Sequence, residues 1–313
     1  MYEILHSFFC FANLILNAQG LSEIGFAKLN IPTFELTKTE TIIDSIKDFH
    51  SHNLPFEQKI NYKRLAFSGS VAVGMGAVVH IYQANAWWAN QNSKFHFTND
   101  WNYALWIDKV GHFTATHFYA HLISGVYDAS NFDAEKSALY SAITALAWEL
   151  FIETEDGFGP DWGFSPGDAI ADLGGALFYV GQYYFPYLKN FQPKISYYPS
   201  EKYLEGKHKG GIIIDDYEGQ KYWMGMRMKE ILPKGLKDYW PSLLMLSVGM
   251  GVKNLDGSGG GTREFYIGFD LDFEQLPLYG SFWQFIKNTF NYLHFPMPGL
   301  RITPKTTAFA IIF

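Results

Sequence analysis

Three successive apolar segments of this 313-residue chain each carry two ionisable groups one helical turn apart. They are Asp108 and His112 in IDKVGHF, Glu149 and Glu153 in AWELFIETED, and Asp168 and Asp172 in SPGDAIADLGGA. Residues four apart lie on one helix face, so each segment, read as a helix, presents its pair to one side. An isolated charge in apolar surroundings costs several kcal/mol unless it is paired or bound to a metal. The pairs are therefore expected to converge, with the helices packed so that these faces point inward. Lys109, next to Asp108, belongs to the same polar cluster.

The spacing predicts helices over about 101–127, 134–154 and 166–188. Ser165 is placed as N-cap of the last, with Pro166 as its first helical residue, and Gly157, Gly159, Pro160 and Pro166 mark the preceding loop. Gly174 and Gly175 would permit close helix packing. Upstream, no Asp, Glu, Lys or Arg occurs between Arg64 and Lys94. That run is long enough for a membrane span, and Ser70 and Gly74 have the spacing of small residues at close helix contacts. Ser68, His80, Gln83 and Asn85 make it equally compatible with a central helix of a bundle. Residues 64–188 thus read as a bundle of about four helices.

After Pro193 the period changes. KYWMGMRMKEIL, SLLMLSVGMGVKNL, REFYIGFDLDF and TTAFAIIF are short, partly alternating and bounded by Pro- or Gly-rich turns, with LDGSGGGTRE as a hairpin loop. The expected class is α+β: a helical bundle followed by an antiparallel β region, either a partial sheet or barrel-like. A terminal strand with Phe309, Ile311 and a final Phe313 resembles the closing strand of outer-membrane barrels, although four or five strands fall short of the roughly eight of a closed barrel. Residues 1–20 read as a secretory signal peptide cut near Ala18 to Gly20, 21–61 as an extended lead-in, 62–190 as the helical domain and 194–313 as a β-rich, membrane-associated domain.

Aromatic residues make up 18% of the chain and charged residues 18%, which excludes disorder and favours contact with a membrane. Net charge is −7 with no Lys/Arg-rich run, so nucleic acid is not an expected partner. The one cysteine, Cys10, excludes an internal disulfide and any CxxC site. HExxH and phosphate-loop motifs are absent from the sequence, and the spacing within the three pairs does not match Glu-x-x-His.

Two readings of the polar cluster stay open. Carboxylates and an imidazole facing inward suit a divalent metal, with His112, Glu149, Asp168 and Asp172 as ligands, or general acid–base work by Glu149 and His112. The same groups could equally be a buried network that holds helices in register. His117 and His121 read as core or interface histidines, with His80 and His96 weaker still. Glu155, Asp156 and Asp161 read as solvated loop residues.

The block DKVGHF…AWELFIETEDGFGPDWGFSPGDAIADLGGA resembles the YfiM-like family of envelope proteins, often predicted lipoproteins, over residues 108–176. KFHFTNDWNYALWIDKVGH is similar to the extended version found in Bacteroidota. VanZ-like membrane proteins show a more distant similarity. Asp108, Lys109, His112, Glu149, Asp168 and Asp172 match the motif positions, whereas no cysteine is placed for acylation. The resemblance implies location and architecture rather than activity. The expectation is a non-catalytic protein of the outer membrane or its periplasmic face, a helical scaffold in contact with the bilayer or with an outer-membrane or periplasmic complex. The alternatives are a metal-dependent envelope hydrolase using the cluster, and an inner-membrane helical protein.

Overall fold

In the computed structural model, which describes residues 59–89, 93–207, 212–257 and 259–313, helices come first and an antiparallel sheet follows. The signal-like segment with Cys10, and all of the lead-in before Lys59, lie outside the described residues. The expected α+β class is what the chain adopts.

Four long helices are present: α1 (Tyr62–Trp87), α2 (Ile107–Ala129), α3 (Ala134–Phe158) and α4 (Pro166–Tyr184). Their ends follow local chemistry. Asp133 caps α3 by accepting from the Lys136 backbone N–H, and Ser165 caps α4 by accepting from that of Asp168, with Pro166 in the first turn. The segment before α2 departs from the expected helix. Ala104, Leu105 and Trp106 have φ of 45°, 55° and 78°, a left-handed run that sterics disfavour for residues bearing a Cβ. The Arg263 side chain donates to Leu105 O at 3.0 Å and lies over the Trp106 ring. The turn bends the chain so that Asp100 returns to Lys109 at the start of α2.

Helices α2, α3 and α4 pack mutually, whereas α1 touches them only in part. His80 and Gln83 are the buried residues of α1; Phe67, Met75, Val78 and Ile81 are exposed. Among the described residues it is the one helix long and apolar enough to cross a membrane. The uncharged stretches 110–127 and 173–184, long enough to suggest inner-membrane spans, belong to the mutually packed helices α2 and α4.

Close approach of α2 and α4 depends on one glycine. A Cβ at Gly175 would stand 2.2 Å from the Phe113 carbonyl oxygen, whereas one at neighbouring Gly174 meets only the Phe113 ring at 3.4 Å. Gly175→Ala is expected to destabilise by about 1–3 kcal/mol through overpacking. Gly174→Ala should be neutral or slightly stabilising because of its helix propensity. Paired thermal melts check this contrast, and equal effects at the two sites would refute it.

The sheet is an open six-stranded meander in the order β1 (Phe191–Tyr197), β2 (Gln220–Met226), β3 (Leu244–Lys253), β4 (Thr262–Leu271), β5 (Met297–Thr303) and β6 (Thr307–Ile312). A further helix, α5 (Ser281–Phe290), precedes β5. β1 and β5 exceed the expected set of strands. Each carries a proline, Pro193 or Pro298, a residue that removes a ladder donor and weakens the strand signal. Cross-strand register separates two faces. One row runs Pro193, Met224, Val248, Ile267, Leu300, Ala308, and the adjacent row Lys194, Trp223, Gly249, Tyr266, Arg301, Thr307. The start of α2 packs over Tyr222, Met250 and Val252 on the apolar face of β2 and β3.

Candidate functional site

The three pairs converge. Lys109 Nζ contacts three carboxylates, Asp168 Oδ1 at 2.7 Å, Asp100 Oδ2 at 2.8 Å and Asp108 Oδ2 at 2.9 Å. Burial alone would lower the pKa of this ammonium, but the charges of Asp108 and Asp168 and its hydrogen bonds to Asp100 and Asp108 raise it, so it stays charged.

His112 is the second hub. Its Nδ1 lies 3.1 Å from Asp172 Oδ1, and its Nε2 faces Asp168 Oδ1 at 3.7 Å and Asp108 Oδ1 and Glu153 Oε1 at 3.9 Å. Burial opposes protonation here too, yet the charge of Asp172 and its hydrogen bond, then Asp168 and Asp108, hold the imidazole pKa well above its ordinary value. Thr116 Oγ1 donates to Asp172 Oδ1 at 2.9 Å. Asp172 is fully buried, and its second oxygen, Oδ2, has no hydrogen-bond partner among the described residues.

Helix α3 closes the cluster with Glu149 and Glu153. Burial, reinforced by the charge of Asp172, pushes Glu149 up to about 8. Burial likewise pushes Glu153 up to about 9, with Asp168 adding to it, even though Glu153 accepts the Ser165 backbone N–H at 3.0 Å. Asp168 is raised to about 7, mainly by burial. Asp108 goes the other way. Burial opposes the shift, but His112, Lys109 and a hydrogen bond from the Tyr217 hydroxyl at 2.6 Å keep it below the ordinary carboxylate range.

Three members of this site were not among the expected residues. Asp100 arrives through the left-handed turn and also accepts from Ser165 Oγ at 2.5 Å. Tyr217 comes from the segment before β2, and Thr116 lies one turn beyond His112. Only Thr116 left a sequence signal, its position on the Asp108–His112 face of α2.

The remaining histidines lie elsewhere. His117 Nε2 donates to Gln182 Oε1 at 3.1 Å, and its Nδ1 accepts from the Tyr292 hydroxyl at 2.7 Å. His121 pairs with Thr289 Oγ1 at 2.8 Å and stacks on Phe285. Burial lowers their pKa values to about 3 and about 4, so both are neutral core histidines. His80 is buried among Trp88, Trp148 and Phe151, and His96 sits near the Lys94 carbonyl. Asp161 is exposed, as expected. Glu155 and Asp156 are instead in the last turns of α3, and Asp156 accepts from Trp88 Nε1 at 2.7 Å. The indole shields it from water and burial raises it to about 6, so it is not a solvated loop residue.

A family model described as "Predicted periplasmic lipoprotein (DUF2279)" matches residues 96–183. The matched stretch contains α2, α3, all of α4 but its last residue, and all the cluster residues except Tyr217. No curated protein and no solved structure matches the chain. The similarity fits an exported envelope protein and agrees with the envelope-lipoprotein resemblance read from the sequence.

Proposed function

We propose that this chain is a membrane-associated envelope protein whose helical core is a scaffold and whose sheet lies against the bilayer of the outer membrane. The carrying observation is the inverted polarity of the sheet. In a water-facing antiparallel sheet the apolar side is inside and the polar side outside. Here the side shielded from water mixes Trp223, Met245 and Tyr266 with Lys194, Ser247, Asp270 and Glu264, all buried, with Lys194 bonded to Asp270 at 3.2 Å, His294 to Asp270 at 2.7 Å and Arg301 to Glu264 at 2.6 Å. The opposite side exposes Val248, Phe265, Ile267, Phe269, Leu300, Ile302 and Ile311. α2 covers this apolar side at β1, β2 and β3; across β4, β5 and β6 no described helix packs on it, and Val248, Ile267, Leu300 and Ile302 stay exposed. Apolar-out, polar-in alternation is the pattern of strands that meet lipid, and a contiguous bare patch of this kind marks an interaction surface.

The YfiM-like order of motifs supports an envelope location, and the exposed apolar α1 offers a second contact with lipid. An open sheet has unpaired edges and does not cross hydrocarbon by itself, so the sheet is read as resting on the membrane, with its free edges available to an outer-membrane partner.

The test places an environment-sensitive fluorophore at Ile267→Cys in a Cys10→Ser background and adds phosphatidylethanolamine/phosphatidylglycerol vesicles. A blue shift with enhanced emission is expected at 267, and none for a label at exposed Asp161→Cys. An unchanged spectrum at 267 would refute lipid contact by the sheet, whatever α1 does.

A further inference from the structure

We infer that His112, Glu149 and Asp172 form a binding site for one divalent first-row metal ion. This does not rest on the bilayer reading. One donor atom from each of these residues lies within 4.8 Å of the others. Donors around an ion held at about 2.0–2.2 Å stand roughly 3–4 Å apart, a spacing that small side-chain rotations reach.

The cluster offers two such triads, and what already occupies them separates the two. Asp108, His112 and Asp168 form the other, but the Lys109 ammonium bonds both of its carboxylates at 2.9 and 2.7 Å. That triad has a cation built in. No lysine or arginine among the described residues contacts the His112–Glu149–Asp172 triad. Asp172 Oδ2 is buried with no hydrogen-bond partner, and a buried carboxylate oxygen left in that state forfeits a stabilising contact. Charge points the same way. Lys109 is taken up by Asp100, Asp108 and Asp168, and His112 is the one basic side chain among the described residues that reaches Asp172.

One imidazole with two carboxylates is a donor set for Mn²⁺ or Zn²⁺ rather than for a soft, thiolate-preferring ion. His112 has the second-contact support typical of a ligand, because its other ring nitrogen faces carboxylates. It also remains partly exposed, at 21% of its side chain, so an ion has a way in.

The experiment uses the detergent-purified full chain, stripped with chelator, and Mn²⁺ as the probe. Electron paramagnetic resonance titration is expected to show one bound Mn²⁺ per chain, and electron spin echo modulation should show coupling to a directly bound imidazole nitrogen. Glu149→Gln leaves the Thr116 and His112 contacts to Asp172 intact and should weaken binding at least about tenfold, whereas Asp161→Asn in the exposed loop should not change it. Failure of the folded wild-type chain to bind Mn²⁺, binding without nitrogen coupling, or an unchanged affinity in Glu149→Gln would each overturn the site. If Glu149→Gln fails to fold, Glu149→Asp, which shortens the ligand's reach, is titrated in its place, and an unchanged Mn²⁺ affinity overturns the site.

Discussion

Lys109→Met is expected to destabilise the fold more than any other single change in the cluster, by about 3–5 kcal/mol, because it leaves a buried set of charges without its counter-ion. For a folded unit of this size that corresponds to a fall in Tm of roughly 10 °C. Methionine keeps most of the volume, so lost packing contributes little, and the effect isolates the charge. Asp100, Asp108 and Asp168 would then face one another with only His112 as a cation. Three carboxylates left in this state relieve their repulsion by protonation, so the deficit should shrink on acidification. Melts at pH 7 and pH 5 test both parts. A loss below about 1 kcal/mol at pH 7, the value of a surface pair, would show that the ammonium does not organise the three helices.

What was legible in the sequence follows from the range of each interaction. The three pairs were legible because a one-turn spacing maps directly onto a helix face, and because Ser165 and Pro166 fix where α4 starts. Contacts from distant chain were not. Tyr217 reaches Asp108 from 109 residues away, and Asp100 reaches Lys109 only because Ala104, Leu105 and Trp106 take a left-handed turn that their residue types disfavour. The alternation in REFYIGFDLDF was readable, but period-2 spacing does not say which side faces inward. That is decided by Lys194, His294 and Arg301, which meet Asp270 and Glu264 from other segments. Packing decided α1 as well: its uncharged run suits a bundle core or a membrane equally, and the other described elements leave it largely uncovered.

The metal-free protein should lose stability as pH rises from about 5.5 to 8.5, the reverse of what ion-paired carboxylates with depressed pKa values produce. Glu149 and Glu153 titrate near 4.3 when unfolded but at about 8 and about 9 in the folded chain. Between those values the folded state holds more protons than the unfolded one, so stability falls with rising pH. His112 acts in the same direction. Its folded pKa is raised, so its contribution is complete below its unfolded value near 6.5 and is lost as pH rises through the folded value. The acid limb has other sources. Asp108, Asp270 and Asp272 are held below the ordinary carboxylate range, each against an opposing burial effect, by His112 and Lys109, by His294 and Lys194, and by Arg227. Their contributions disappear as pH falls through their folded values. His117 and His121, kept neutral by burial, also penalise the folded state at low pH. Maximum stability is therefore expected near pH 5–6, with an alkaline loss of several kcal/mol, given about 1.4 kcal/mol per pKa unit. Glu149→Gln removes the group that has to ionise while buried, so it should stabilise the metal-free chain at pH 8.5, leave it little changed at pH 5.5, and flatten the alkaline slope. Denaturant unfolding at the two pH values measures this directly. A wild-type stability that is flat or rising over that range would show that Glu149 and Glu153 ionise without penalty, and that the carboxylates of the cluster are not confined in the way their burial implies.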